Sequence, residues 1–224
     1  TSGSVELATH FTIGSAVEDA AQELRAFVES QLPCAAVTLE GATLRIEYGA
    51  GPGSCVYRGR SYAGVHRISV MRNQMDDVVV EHRWEDFRDE RISVSGTATV
   101  TWSASEPRRR VVHELTWTRL RDGRSGTGTG ERLQRPLAEG LAAGFAVDGA
   151  REWRGESGTW TLAIEGVQWR WIDAVPQAGR YVLTTPSNEM ASLGFERVDE
   201  DTVRVTITSG ARTYEFDVTT LGGG

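Results

Sequence analysis

From Cys34 to Val218 the chain runs as one stretch after another of alternating apolar and polar residues, with Asn, Asp, Gly or Pro between the stretches. Residues two apart on a strand point to the same side of a sheet, so parity assigns the faces. His66, Ile68 and Val70 share one. So do Val78, Val80, His82 and Trp84, then Ile92, Val94, Ala98, Val100 and Trp102, then Val111, His113, Leu115 and Trp117. The opposite parity carries Arg67, Ser69, Glu81, Arg83, Glu85, Thr97, Thr99 and Thr101. One dry and one wet face is the mark of antiparallel sheet, because a parallel sheet is covered on both sides. The second half repeats the scheme in Trp160, Leu162, Ile164, then Trp169, Trp171, then Tyr181, Leu183, then Leu193, Phe195, then Val203, Val205, Ile207, and last Tyr214, Phe216, Val218.

Turn chemistry at 73–77, 88–90, 121–123 and 199–201 makes sequence neighbours hairpin partners. The expectation is a mainly β protein: an antiparallel meander forming a curved sheet, sandwich or partial barrel, with one N-terminal α-helix packed on it. A curved sheet fits the short connections at least as well as a Greek-key sandwich, which needs long crossovers. An outer-membrane barrel alternates in the same way, but its lipid-facing side would have to carry His66, His82 and His113.

The helix is written in Ser15 and Glu18, spaced as a capping box, and in Val17, Ala20, Ala21, Leu24, Phe27 and Val28 at helical spacing. It should run to about Gln31 and stop before Pro33. Residues 1–14 read as a tail, 15–218 as a single β-rich domain and 219–224 as a second tail. Arg135 to Gly144 reads as a short helical turn or a loop. A faint internal duplication, about 35–120 against 121–218, rests on TLEGATLRI (38–46) beside AIEGVQWRW (163–171) and ISVSGTATVTW (92–102) beside VTITSGARTYEF (205–216).

All 24 basic residues are arginine. Without lysine there is no Schiff base, pyridoxal phosphate anchor, phosphate-loop lysine or Ser-Lys dyad, and no cofactor is expected. Net charge is −7, and the arginines are scattered except for Arg108, Arg109 and Arg110, read as a solvated turn. No basic stripe addresses a phosphate backbone, so nucleic acid is not an expected partner. There is no apolar run long enough to span a membrane as a helix, and a start at Thr1 without a leader reads as a trimmed, exported chain. Cys34 and Cys55 bracket the strand 43–48 and its turn 49–54, and are expected to form a disulfide contributing on the order of 3 kcal/mol. Two buried thiols are the alternative; a metal site lacks a CxxC or a nearby histidine.

Candidate chemistry is sparse. If the strands of His66 and His82 pair about a turn centred on Gln74, the two rings stand directly opposite, about 5 Å apart at Cβ, and a metal would bridge them. The competing reading is a pair of core histidines with satisfied hydrogen bonds, Asp86 being the nearest acid of that parity. His113 lies a strand further on. Around Ser61 and Ser125 no GxSxG elbow forms. The run Gly126 to Gly130 reads as a thin strand with threonines on one face and glycines on the other. The acidic clusters 76–77, 89–90 and 199–201 lack calcium-loop spacing and belong to turns. Trp153, Trp160, Trp169 and Trp171 crowd together, either as core or as a binding surface for a protein, a glycan or a lipid.

The Cys34-to-Cys55 unit with TLRIEYGAG, and the tail segments GTWTLAIEGVQWRW, PQAGRYVLTTP and FERVDEDTVRVTI, resemble uncharacterised predicted lipoproteins of Gram-negative bacteria, myxobacterial ones especially. The resemblance covers about residues 15–218 and its motifs are structural. It implies export to the periplasm, outer membrane or cell surface, with membrane contact only through a lipid anchor upstream of Thr1. The function expected is a non-enzymatic β-rich binding or structural module of the cell envelope. A carrier holding a hydrophobic ligand between sheet and helix is the alternative, and a metal-dependent hydrolase using His66 and His82 the third reading.

Overall fold

The computed structural model describes residues 17–32, 34–49, 55–57, 60–103 and 105–220. The expected 1–14 tail, Ser15, Pro33, positions 50–54 of the turn between the cysteines, and 221–224 lie outside the described residues.

Among the described residues one helix, α1 (Val17–Gln31), is followed by strands β1 (Ala35–Glu40), β2 (Thr43–Tyr48), β3 (Cys55–Tyr57), β4 (Arg60–Arg72), β5 (Val78–Arg88), β6 (Ile92–Trp102), β7 (Arg109–Arg119), β8 (Ser125–Leu137), β9 (Gly140–Gly155), β10 (Gly158–Arg170), β11 (Ala178–Thr184), β12 (Met190–Arg197), β13 (Thr202–Ser209) and β14 (Arg212–Thr219). The described strands form one open antiparallel sheet in sequence order, with β1 and β14 as its ends; β3 lies off this path and pairs with β4. Of the architectures expected from sequence, this is the meander. Contacts group the chain into two compact units, Thr1–Ser105 with Val112–Gly128, and Glu106–Val111 with Thr129–Gly224.

In the first unit, α1 lies against β1, β2 and β4. Its 3.6-residue period buries Ala20, Ala21, Leu24 and Val28, and its acidic first turn, Glu18 and Asp19, suits the positive end of the helix dipole. The sheet's dry face supplies Leu44, Ile46, His66, Ile68, Val70, Val80, His82, Trp84, Ala98 and Val100, all buried. Each fully buried branched side chain contributes roughly 1.5–3 kcal/mol. The bridge Cys34–Cys55 is formed, with Cα atoms 4.9 Å apart, and ties the start of β1 to the start of β3. Structural disulfides form and persist in oxidising compartments rather than in the cytosol. No helix among the described residues is long and apolar enough to cross a membrane.

The turn between β4 and β5 sets a register that parity alone leaves open. Asn73 Oδ1 accepts from the backbone N–H of Met75 and Asp77, and Asp76 takes a left-handed conformation, φ 63°. The strands then pair about Met75, not Gln74: His66 stands opposite Trp84 and His82 opposite Ile68. At the other end of β5 a bulge interrupts the ladder between Trp84 and Phe87, with Asp86 at φ 47°. The extra residue reverses the parity, so Phe87 is buried and Asp86 is exposed, its N–H donating to Ser95 Oγ at 3.0 Å. Asp86 is therefore no partner of the histidines. Gly64 answers this bulge across the ladder, since a Cβ there would collide with the backbone of Asp86 and Phe87.

Several local expectations change. Arg135 to Gly144 is the hairpin of β8 and β9, not a helical turn: its small residues and Gly140, at φ 95°, serve a tight reversal. The arginine triplet opens β7 rather than filling a turn; Arg109 donates to Gln134 Oε1 at 3.0 Å and Arg110 to Glu131 Oε1 at 2.7 Å. The Gly126–Gly130 run is strand, as expected, with Thr127 and Thr129 exposed and Gly128 buried. The similar segments take different structures. Glu40-Gly41 closes the β1–β2 hairpin, whereas Glu165-Gly166 makes a bulge inside β10. Residues 92–102 form one strand, while 205–216 span the β13–β14 hairpin.

Candidate functional site

Two constellations in separate units carry the residues singled out from sequence. In the first unit, β4 contributes His66 and β5 contributes His82 and Trp84. The register offset places the histidines diagonally across the ladder, yet the rings meet: His66 Nε2 lies 3.0 Å from His82 Nδ1. The three rings are nearly parallel, with centroids 4.9 Å apart for His66 and Trp84, 5.6 Å for His82 and Trp84, and 5.2 Å for the two histidines. All are at most 2% exposed. One nitrogen of the facing pair must carry the proton and the other accept it, so the accepting ring is neutral. Burial, then the neighbouring His82, holds the His66 imidazole well below its ordinary pKa.

A zinc site takes three or four protein ligands. Among the described residues no group of three or more His, Cys, Asp or Glu side chains stands together to hold a metal. The two facing nitrogens can share a proton between them.

The stack makes stability depend on pH. In the unfolded chain His66 takes up a proton as pH falls through 6.5, while in the folded protein it stays neutral until far lower. The unfolded state then binds more protons, so stability is complete above pH 6.5 and is lost as the pH drops below it, by about 1.4 kcal/mol per unit. Urea unfolding between pH 7 and 5 measures this. A His66→Gln variant, whose side chain does not titrate, is expected to show a flatter profile over that interval.

In the second unit the tryptophans gather through a bulge. On β10, Trp160, Leu162 and Ile164 have even parity and Val167 and Trp169 odd. The ladder to β9 slips between Ile164 and Val167, with Gly166 at φ 56° and its N–H donating to Asp148 Oδ1 at 2.8 Å. The inserted residue reverses the parity, so both sets share one face. Trp160 pairs with Trp153 and Trp169 with Phe145. Trp171, just past the strand, rests its ring 5.0 Å from Phe145 and donates Nε1–H to the Leu141 carbonyl at 2.8 Å. The expected alternatives, core or surface, are divided among these residues. Trp169 packs on a core of Val147, Ile164 and Val167 with Phe145, Leu162 and Tyr181. Trp160 is 36% exposed and Trp171 57%.

The same face continues across β11 to β14 through Tyr181, Leu193, Ile207 and Tyr214 by successive register pairs, with Val205 paired to Phe216 beside them. Val203 and Val205 are buried, but Ile207, Phe216 and Tyr214 are 38%, 49% and 57% exposed. Large apolar side chains exposed together on one face mark an interaction surface more often than a chance pattern.

Sequence reasoning missed a polar clamp at one end of this unit. The Asp173 carboxylate, 1% exposed, binds the Arg197 guanidinium and lies 3.9 Å from Arg170. Arg197 also donates to Gln177 Oε1 at 3.1 Å and to the Glu200 carbonyl at 2.8 Å. This joins the loop after β10 to the turn before β13. Its members are far apart in sequence, and no local pattern announces them.

No protein family, curated protein or solved structure matches the chain.

Proposed function

We propose that the protein is an exported, non-enzymatic module of the Gram-negative cell envelope, tethered through a lipid anchor upstream of Thr1, whose second unit binds a partner on its aromatic sheet face. One observation carries the reading: Trp160, Ile207, Tyr214 and Phe216 stand 36–57% exposed on the face whose interior holds Val203 and Val205. The disulfide agrees with an oxidising compartment. The envelope location and the anchor rest on the resemblance to predicted lipoproteins.

Packing beneath the helix supports a module over a carrier. Ala21, Leu24, Leu44, Ile46 and Ile68 have at most 2% of their surface accessible, so helix and sheet pack directly on one another at these residues. A ligand has room on the open face instead.

Binding is tested with three probes on the full chain: phospholipid vesicles, peptidoglycan fragments and an extended synthetic peptide. At least one is expected to bind saturably and to shift the indole resonances of Trp153 and Trp160. The variant Trp160→Ser/Tyr214→Ser/Phe216→Ser should lose at least tenfold in affinity while its melting remains cooperative. Silence from all three probes, or binding unchanged in the triple variant, overturns the reading.

A further inference from the structure

The free end of the sheet lies on this face. β14 pairs with β13 through eight unbroken register pairs, Thr202 with Thr219 down to Ser209 with Arg212, and among the described residues nothing pairs with its other side. An edge of this kind presents a row of backbone donors and acceptors to any extended chain, and proteins ordinarily blunt it by shortness, charged side chains, proline, a bulge, an inward charge or a covering element; β14 carries charge, of which Glu215 and Asp217 are acidic. At the opposite end, β1 follows that rule: it is six residues long and α1 lies against it. β14 has eight residues, no proline and no bulge, and all but one of its residues are exposed.

Its two faces specify what would fit. On one, Tyr214 and Phe216 extend the aromatic surface to the last strand and stop half-exposed. On the other stand Glu215 and Asp217. Asp217 accepts from Arg204 at 3.0 Å, and Arg204 also stands opposite Glu196 on β12. Glu196, Glu215 and Asp217 against Arg204 leave two net negative charges beside the edge, and Glu215 faces Thr206 rather than a cation. Cross-strand neighbours of opposite charge stabilise a pair and like charges oppose it.

We propose that the outer edge of β14 takes up an extended segment of a partner protein as a further strand, with apolar side chains on the Tyr214–Phe216 face alternating with basic ones opposite Glu215 and Asp217. Main-chain hydrogen bonds would supply affinity and the alternation specificity. A second copy of this chain fits worse. The longest two-fold registers that match apolar with apolar set Glu215 against Glu215, or Glu215 against Asp217.

This inference rests on the second unit being a binding module and narrows its partner to protein. The probe is a capped nonapeptide alternating lysine with valine and phenylalanine; the control carries glutamate in place of lysine. With isotope-labelled full chain, the lysine peptide is expected to slow amide exchange at alternate residues of β14 at least tenfold and to bind at least tenfold more tightly than the glutamate peptide. Glu215→Lys, a change at an exposed position, should weaken it at least fivefold. Shifts of the Trp153 and Trp160 indoles without protection along β14 overturn strand addition while leaving the binding module standing. Silence from both peptides at β14 and at the indoles overturns strand addition, and the module reading also falls if vesicles and peptidoglycan fragments do nothing. Equal affinity for the two peptides, or a concentration-dependent dimer that protects the same amides without peptide, also overturns the proposal.

Discussion

Trp84→Ala should destabilise the protein by about 3–5 kcal/mol, the usual cost of deleting a fully buried large aromatic side chain. Trp84 is 1% exposed and stacks on both His66 and His82, so its removal opens a cavity and takes the flat support from two buried imidazoles that hydrogen-bond to each other. Its Nε1–H has no hydrogen-bond partner among the described residues, so the indole acts by area and shape rather than by donation. Trp84→Phe, which keeps a ring and removes that donor, is therefore expected to lose much less. Urea unfolding at pH 7.5, above the pH range in which the His66 effect appears, measures the two variants. A Phe variant as unstable as the Ala variant would contradict the stacking account.

The second large effect belongs to the Cys34–Cys55 bridge. Its sequence separation of 21 closes a loop of a size whose constraint on the unfolded chain is worth about 3 kcal/mol. Cys55 is 1% exposed, so the Cys34→Ser/Cys55→Ser variant also buries a hydroxyl where a sulfur had been. The bridge is the covalent tie between β1, on which α1 packs, and β3, which lies off the main sheet path and pairs with β4. The oxidised protein is expected to unfold at clearly higher urea concentration than the reduced one, with α1 losing amide protection first on reduction. Coincident unfolding curves would show that the bridge contributes nothing to stability.

The parity of the sequence was a sound guide wherever a ladder is unbroken. His66, Ile68 and Val70, and Val78, Val80, His82 and Trp84, are buried together as read. It failed at residues where one position is inserted. Asp86 carries the parity of the histidines but turns to solvent, and Gly166 lets Trp160 and Trp169 share a face that their numbering denies them. A bulge depends on what the neighbouring strand offers, here Ser95 for Asp86 and Asp148 for Gly166, and a window of one strand cannot contain that.

The histidine pair shows the same division at finer scale. Placement of His66 and His82 on one face followed from period two, but their register followed from the Asn73 turn, which shifted the axis of the hairpin by one residue and put Trp84 opposite His66. The rings still touch because imidazole and indole are wide enough to span a diagonal on one face.

By itself the sequence determined the strand content, the hairpin pairing of sequence neighbours and the single described helix, and it favoured the disulfide, because each arises from local spacing: period two, short polar turns, a 3.6-residue stripe, two cysteines around one hairpin. Tertiary structure alone decided which of the tryptophans are core and which are surface, how the Asp173–Arg197 clamp closes, and that the last strand ends the sheet with its aromatic side half-exposed. Those outcomes depend on which neighbour covers a residue, and a neighbour distant in the chain leaves no mark on local spacing.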